Sequence, residues 1–231
     1  MTKFVVKDGR IRKAMKMEQV MSHYLQSSKI ENIKILDIGC GTGKIINYFN
    51  KNSNQVYAVD VYNQIDKNII IENFTQVSSA NLPFEDGFFD IIISNHVVEH
   101  IKDQKTHMDE IYRCLNNKGI CYYATPNSNF PIEPHHRVPF IHYLKPSTFH
   151  QILRKLGKYE EDLYLLSYKQ MLNSFTKHNF IFKEYTSLIM KNPIKYQLET
   201  KLFSYFPLWF LNSLQWIIPT NIFVLTKMEK K

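Results

Sequence analysis

Three groups of residues have types and spacings that could do chemistry. The first is ILDIGCGTGKI, where Gly39, Gly41 and Gly43 stand between an apolar run and a helical pattern. Glycines in such a turn let the backbone bend tightly and approach a ligand at a helix N-terminus. Asp60 closes the next apolar run, QVYAVDV, where a carboxylate can accept two hydrogen bonds from ribose hydroxyls. A dinucleotide loop counted from Gly39 needs glycine at position 44, and Lys44 stands there. The spacing is G-x-G-x-G, so the turn suits a nucleoside-type ligand without a pyrophosphate. The second group is His96-Val97-Val98-Glu99-His100. On a helix of its own, H-x-x-E-H binds zinc through two histidines while the glutamate activates water. The third is the segment TPNSNFPIEPHHRVPFIHYLKP, which carries Glu133, His135, His136 and His142 among five closely spaced prolines.

The elements that must position these groups follow from the periodicity. KILDIG (34–39), QVYAVDV (55–61), FTQVSS (74–79), FDIIISN (89–95), GICYYATPN (119–127), FIFKEYTSLI (180–189) and NIFVLTK (221–227) read as strands. Helical patterns cover 13–28 and 44–51, then run from an N-cap at Asp103 to Leu115, with Lys118-Gly119 as the stop. Further helices start near Ser147 and cover 166–178. Continuous apolar strands separated by helices indicate a parallel sheet covered on both faces. Right-handed crossovers then give an α/β, doubly wound, Rossmann-like sandwich. Its sheet has seven mainly parallel strands, a C-terminal antiparallel strand and a helical lid insertion. In this frame HVVEH is the exit of a buried strand, its valines packing into the core, so no zinc site is expected.

The bulk composition sets outer limits. The 231 residues, 44% hydrophobic and 14% aromatic, are enough for one cored domain and exclude a largely disordered chain. We read one domain over 1–231: a helical segment (1–29), a cofactor-binding core (30–127), a substrate lid with helices (128–178) and C-terminal strands with an apolar helical insertion (179–231). The net charge of +8 permits an anionic partner without choosing one. Its only clusters lie at the ends, at Arg10, Arg12, Lys13 and Lys16 and at Lys227, Lys230 and Lys231. Cys40, Cys114 and Cys121 form no C-x-x-C pair, which fits a reducing, cytoplasmic compartment. The first sixteen residues have no apolar core of the secretory type. Residues 202–226 carry no charge but are broken by Pro207 and Pro219. That pattern suits a cap on the pocket or a patch lying on a membrane at 202–218, not a span.

LDIGCGTG, VYAVD, SSANLPFEDGFFDIIISNHVVEHI and GICYYATPN together resemble the successive motifs of class I S-adenosylmethionine-dependent methyltransferases, of the type 11/23-like kind that act on small molecules or sugars. The resemblance implies S-adenosyl-L-methionine as cofactor. It implies that Asp37 orients the loop and the cofactor's amino group, and that the backbone at Gly39, Cys40, Gly41 and Gly43 lines its methionine portion. Asp60 would hold the ribose and Val61 pack on the adenine, with Ser79 and Ala80 near the adenine amino group and Asn95 beside the cofactor. A serine stands where the family often has an aspartate before Ala80. Glu99 and His100 match a pair often found at this point and would shape the turn and the pocket floor. In the branch resembling quinone-biosynthesis O-methyltransferases an acidic residue and histidine of this turn go with a divalent metal, but His96 replaces the acidic residue, so no metal is expected.

Methyl transfer to a hydroxyl needs a base, and His135 or His136 is expected in that role, with Glu133 or Arg137 orienting it or the substrate. In a loop this rich in proline the histidines could instead bond only to backbone carbonyls. The lid is similar to that of bacterial methyltransferases acting on sugars in polysaccharide biosynthesis, which makes a sugar or glycan intermediate the expected acceptor. A lipid-like quinone or phenol is the alternative, and a nucleic-acid acceptor a further one. SNHV stands where the N-P-P-Y or D-P-P-Y tetrapeptide of base-amine methylation would be, which argues against nucleic acid.

Overall fold

The fold is taken from a computed structural model that describes residues 8–27, 29–133, 137–159 and 162–228. His135 and His136 lie outside the described residues. Seven strands form one sheet in the order β3-β2-β1-β4-β5-β7-β6. They are β1 (Lys34–Ile38), β2 (Gln55–Asp60), β3 (Asn73–Gln76), β4 (Phe89–Asn95), β5 (Leu115–Pro126), β6 (Phe180–Glu184) and β7 (Thr220–Lys227). β1 to β5 run parallel, while β7 pairs antiparallel with both β5 and β6. The expected doubly wound sheet with a C-terminal antiparallel strand is therefore present.

The period-two alternation of the strands builds two cores. Ile35, Ile91, Ile93, Ile120, Tyr122 and Val224 face α1 (Gly9–Leu25) and α2 (Lys44–Phe49), meeting Met17, Val20, Ile46 and Phe49. Their immediate neighbours Leu36, Ile92, Cys121, Tyr123, Phe223 and Leu225 face α3 (Gln104–Cys114) and α5 (Tyr168–Lys177). A strand buried on both faces reads as a continuous apolar run for this reason. The strand order reverses between β1 and β4, and ligands of such sheets bind at the carboxyl ends beside that switch point.

Three sequence expectations are corrected. α1 begins at Gly9, not residue 13, because the Asp8 carboxylate accepts the backbone N–H groups of Arg10 and Ile11 and caps the helix. α3 ends at Cys114 and β5 starts at Leu115, four residues before the expected Gly119, so Lys118-Gly119 lies inside the strand. A Cβ on Gly119 would stand 2.9 Å from the carbonyl of Asp90, so the glycine admits a close approach by the neighbouring strand instead of stopping a helix. β6 ends at Glu184, and Thr186–Lys191 is a helix, α6. The Glu184 carboxylate accepts the Thr186 N–H and turns the chain out of the sheet.

The lid carries α4 (Pro146–Lys155) and its own small core of Ile141, Phe149, Leu153 and Leu163. The 202–218 stretch holds a short 3₁₀ turn (Leu202–Tyr205) and α7 (Leu208–Ser213). Among the described residues, no helix is long and apolar enough to cross a membrane.

Candidate active site

The glycine loop leaves β1 at its carboxyl end. All three of its glycines have positive φ, at 68°, 53° and 74°. Their reasons differ. A Cβ at Gly39 would come within 2.7 Å of a Val97 methyl, and one at Gly43 within 2.8 Å of an Ile71 methyl, so both glycines are packed against the protein. A Cβ at Gly41 would meet nothing within 4 Å. Gly41 is the open side of the loop, where backbone rather than side chain faces a ligand.

Four of the loop's amides are already engaged. Gly39 and Cys40 donate to the carbonyl of Val59, at 2.8 and 3.3 Å, and Gly43 donates to Cys40 at 3.0 Å. Gly41 donates to Oδ2 of Asp60 at 2.7 Å. An anion-binding loop presents free amides to phosphate, and these four point inward. The loop therefore suits a ligand held by close approach, in keeping with the G-x-G-x-G spacing.

Two carboxylates flank it. Asp60 accepts from Gly41 through one oxygen and from Tyr62 N–H through the other, at 3.2 Å, which fixes its plane. A carboxylate offers about four lone-pair sites, so two remain for hydroxyls. Asp37, on β1, is buried, and its Oδ2 has no hydrogen-bond partner. Burial, then the nearby Asp60, push its pKa up to about 8, against a smaller opposing pull from Arg10. An orphaned buried carboxylate oxygen is costly until a cation meets it. Asp37, Gly41 and Asp60 thus fit a cofactor with a cationic amino-acid end and a ribose. Cys40 beside them points into the core, and burial pushes its thiol up to about 12.

The remaining predicted positions lie along the same edge. Val61 is half exposed just past β2, its carbonyl held by the Gln76 side chain at 2.9 Å. Ser79 and Ala80 follow β3, and the Ser79 hydroxyl accepts from the Asn81 backbone at 3.3 Å. The half-buried Asn95 ends β4, one step past the Ile38–Ser94 pairing of β1 with β4.

Sequence reasoning missed the clamp that holds this edge. Arg113 on α3 grips Glu110 through Nε and Nη2, both at 2.8 Å. Its Nη1 and Nη2 also donate to the carbonyls of Phe84 and Leu82 at 2.7 and 2.9 Å. Glu110 accepts the Leu82 N–H at 2.7 Å. The LPFEDG segment is thereby fastened to α3. The Glu110–Arg113 spacing of three residues on a helix was the available signal.

HVVEH does not form the helix that a zinc motif needs. Only Val98–His100 makes a 3₁₀ turn, and His96 is left-handed with φ 57°. Glu99 is fully buried, with Nδ1 of His96 3.3 Å from one oxygen and the Thr125 hydroxyl donating to the other at 3.0 Å. Burial raises the Glu99 pKa, but the bond and charge of His96 lead the effects that outweigh it and leave the group ionised below its usual range. Glu133 is also fully buried, and its backbone pairs with Val138 and Arg137. His142 lies against the Ser128 carbonyl through Nε2 at 3.1 Å, the backbone role considered for a lid histidine.

Comparison with known proteins places this arrangement. Residues 12–180 match the model of the methyltransferase domain family, and the chain belongs to that family, the class I S-adenosylmethionine-dependent methyltransferases. An uncharacterised protein of Methanocaldococcus jannaschii is 35% identical over 94 residues, 39% of this chain and 41% of that one. A ubiquinone biosynthesis O-methyltransferase of Rickettsia bellii is 29% identical over 118 residues, 48% of each chain. The chain thus spans about half or less of the length of the curated relatives it matches. The phosphoethanolamine N-methyltransferase 2 of Haemonchus contortus, solved in complex with S-adenosyl-L-methionine, has the same fold. Its TM-score is 0.56 at 16% identity, covering 96% of this chain and 57% of that one. The cofactor of this domain is S-adenosyl-L-methionine.

Proposed function

We propose that the protein transfers a methyl group from S-adenosyl-L-methionine to a hydroxyl of a small molecule, a sugar or glycan intermediate foremost. The observation that carries the methyl-transfer reading is the orphaned Asp37 oxygen beside the open Gly41 and the pinned Asp60. Bound there, the cofactor supplies a methyl group made electrophilic by its sulfonium. The chain's own part is to hold that cofactor, align the acceptor and take up the hydroxyl proton. His135 or His136 with Glu133 remains the proposed base. His96 is a second reading for that role, favoured by one observation: its ring is one-third exposed at the carboxyl end of the sheet and backed by the buried Glu99. A carboxylate behind a histidine orients the ring and stabilises its protonated form.

The acceptor has an alternative. The Rickettsia relative is named for ubiquinone biosynthesis, and a lipid-like quinone or phenol would suit the uncharged 202–218 stretch. There Tyr205 and Trp209 are 81% and 71% exposed, with Leu202 and Trp216 also open. Large aromatics of this kind settle at a membrane interface, so we extend the proposal to peripheral membrane contact by a cytoplasmic protein. The first test is calorimetric titration with S-adenosyl-L-methionine. It is followed by tritiated methyl transfer to free sugars, lipid-linked sugars and catechols. One-site binding with transfer to sugars is expected. Transfer to catechols alone would replace the sugar by the phenolic acceptor, and absence of binding would remove the methyltransferase reading.

A further inference from the structure

The basic cluster at the start of the chain lines a groove that the methyl-transfer reading leaves unexplained. The groove has a volume of about 670 Å³ and runs between the first turns of α1 and residues 197–200. Four cations line it: Arg10, Arg12, Lys13 and Lys16. Its two carboxylates are already committed. Asp8 caps α1 and pairs with Lys44 at 3.4 Å, and Glu199 pairs with Nη1 of Arg12. Among the described residues Arg10, Lys13 and Lys16 have no ion-pair partner, and Nε of Arg12 is buried without an acceptor. Burial, with the like charge of Lys13 second, pushes the Lys16 ammonium down to about 8. A set of like charges held together with donors unspent is stabilised by an anion.

The groove also borders the cofactor loop. Asp8 on its rim is tied to Lys44, the residue after Gly43, and the charge of Arg10 is felt at Asp37. Asp8 already takes the backbone amides of Arg10, Ile11 and Arg12, so the side chains do most of the binding. We infer that this groove is a subsite for a phosphate or pyrophosphate group, holding the anionic part of an acceptor whose hydroxyl lies at the cofactor. An activated sugar and a phospholipid headgroup share that chemistry. The acceptor role rests on the proposed methyl transfer, whereas the anion site itself does not.

The experiment is calorimetric titration of the full chain, loaded with S-adenosyl-L-methionine, with inorganic pyrophosphate at low salt. Co-sedimentation with phosphatidylglycerol and phosphatidylcholine vesicles runs in parallel. One-site pyrophosphate binding is expected, weakened at least tenfold in Lys16→Met and in Arg10→Gln, and unchanged in Lys105→Gln on the exposed side of α3. Vesicle binding that needs phosphatidylglycerol and falls in the same two variants assigns the phosphate to a lipid, and pyrophosphate binding alone assigns it to a soluble acceptor. No binding of either, or equal losses in Lys105→Gln, overturns the subsite. Melting curves and cofactor titration of each variant separate a folding defect from a lost site. Failure of wild-type cofactor binding would strike the methyl-transfer reading and leave the pyrophosphate result standing.

Discussion

The proposed cofactor edge and the proposed acceptor side of this molecule are built differently. On the cofactor edge the loop amides of Gly39, Cys40, Gly41 and Gly43 are bonded to a β2 group or to the loop itself. Glycine geometry and the Arg113 clamp leave that edge little freedom. The acceptor side has a core of its own, set apart from the two sheet cores. Polar ties join it to the edge: Tyr164 N–H to the Glu99 carbonyl at 2.7 Å, and the Gln104 side chain to the carbonyls of Tyr164 and Val98 at 2.6 and 3.0 Å. A half that serves one invariant cofactor can be rigid. A half that selects an acceptor can be a separately packed cap, repacked without disturbing the first.

The largest expected effect breaks the cofactor edge. Asp60→Ala removes the proposed ribose acceptor and releases the Gly41 and Tyr62 amides. With charged hydrogen bonds contributing about 1.5–3 kcal/mol each, cofactor affinity should fall about a hundredfold or more while far-UV dichroism is retained. Calorimetry with unchanged affinity would sink the assignment.

Asp37 gives a pH test of the same edge. Its folded pKa, about 8, lies above the ordinary 3.8. The folded state therefore holds the proton more tightly, and the penalty for ionising Asp37 grows as pH rises from about 4 to 8. Asp37→Asn removes that penalty, so its melting temperature relative to wild type should climb across this window. The cofactor's cation favours the ionised form, so wild-type affinity should rise about tenfold per pH unit below 8 and decline above it, where the cofactor's own α-amino group loses its proton. Asp37→Asn should show a weak, flat profile; a parallel pH slope in the variant would refute the pairing.

The glycines separate packing from ligand approach. Gly39→Ala and Gly43→Ala should each cost about 1–3 kcal/mol of stability, seen in denaturant midpoints, since a methyl there meets another methyl at a left-handed position. Gly41→Ala should cost less stability but lower cofactor affinity. The reverse order would show that Gly41 does not face the ligand. The smallest effect sharpens the cap: Gln104→Ala should cost about 1 kcal/mol and speed hydrogen exchange in 162–166 without altering exchange in β1. Equal speeding in both would mean that the two halves are one cooperative unit.

How much of this was legible in the sequence follows the same division. ILDIGCGTGKI and Asp60 act through constraints a few residues long, so the loop and its strands could be read directly. Gly119 was read as a helix stop and the first residue of a strand, whereas it lies inside β5. Its small size serves the close contact with Asp90 across strands, a partner 29 residues away that no local pattern names. Thr186 looked like strand because TSLI is β-prone, yet its hydroxyl accepts the Ile222 N–H of β7 and its own amide is taken by Glu184, which ends the strand. The Arg113 clamp and the Glu99–Thr125 bond join separate segments, and only the folded chain brings them together.

The burial of Cys40 has a chemical consequence of its own. A cofactor that donates methyl groups is an alkylating agent, and a thiolate is among the side chains most easily alkylated. The thiol in the glycine loop is turned into the core and kept protonated far above neutral pH. The loop proposed to hold the reagent thus presents no thiolate to it, and Cys40 is kept from competing with the acceptor for the methyl group.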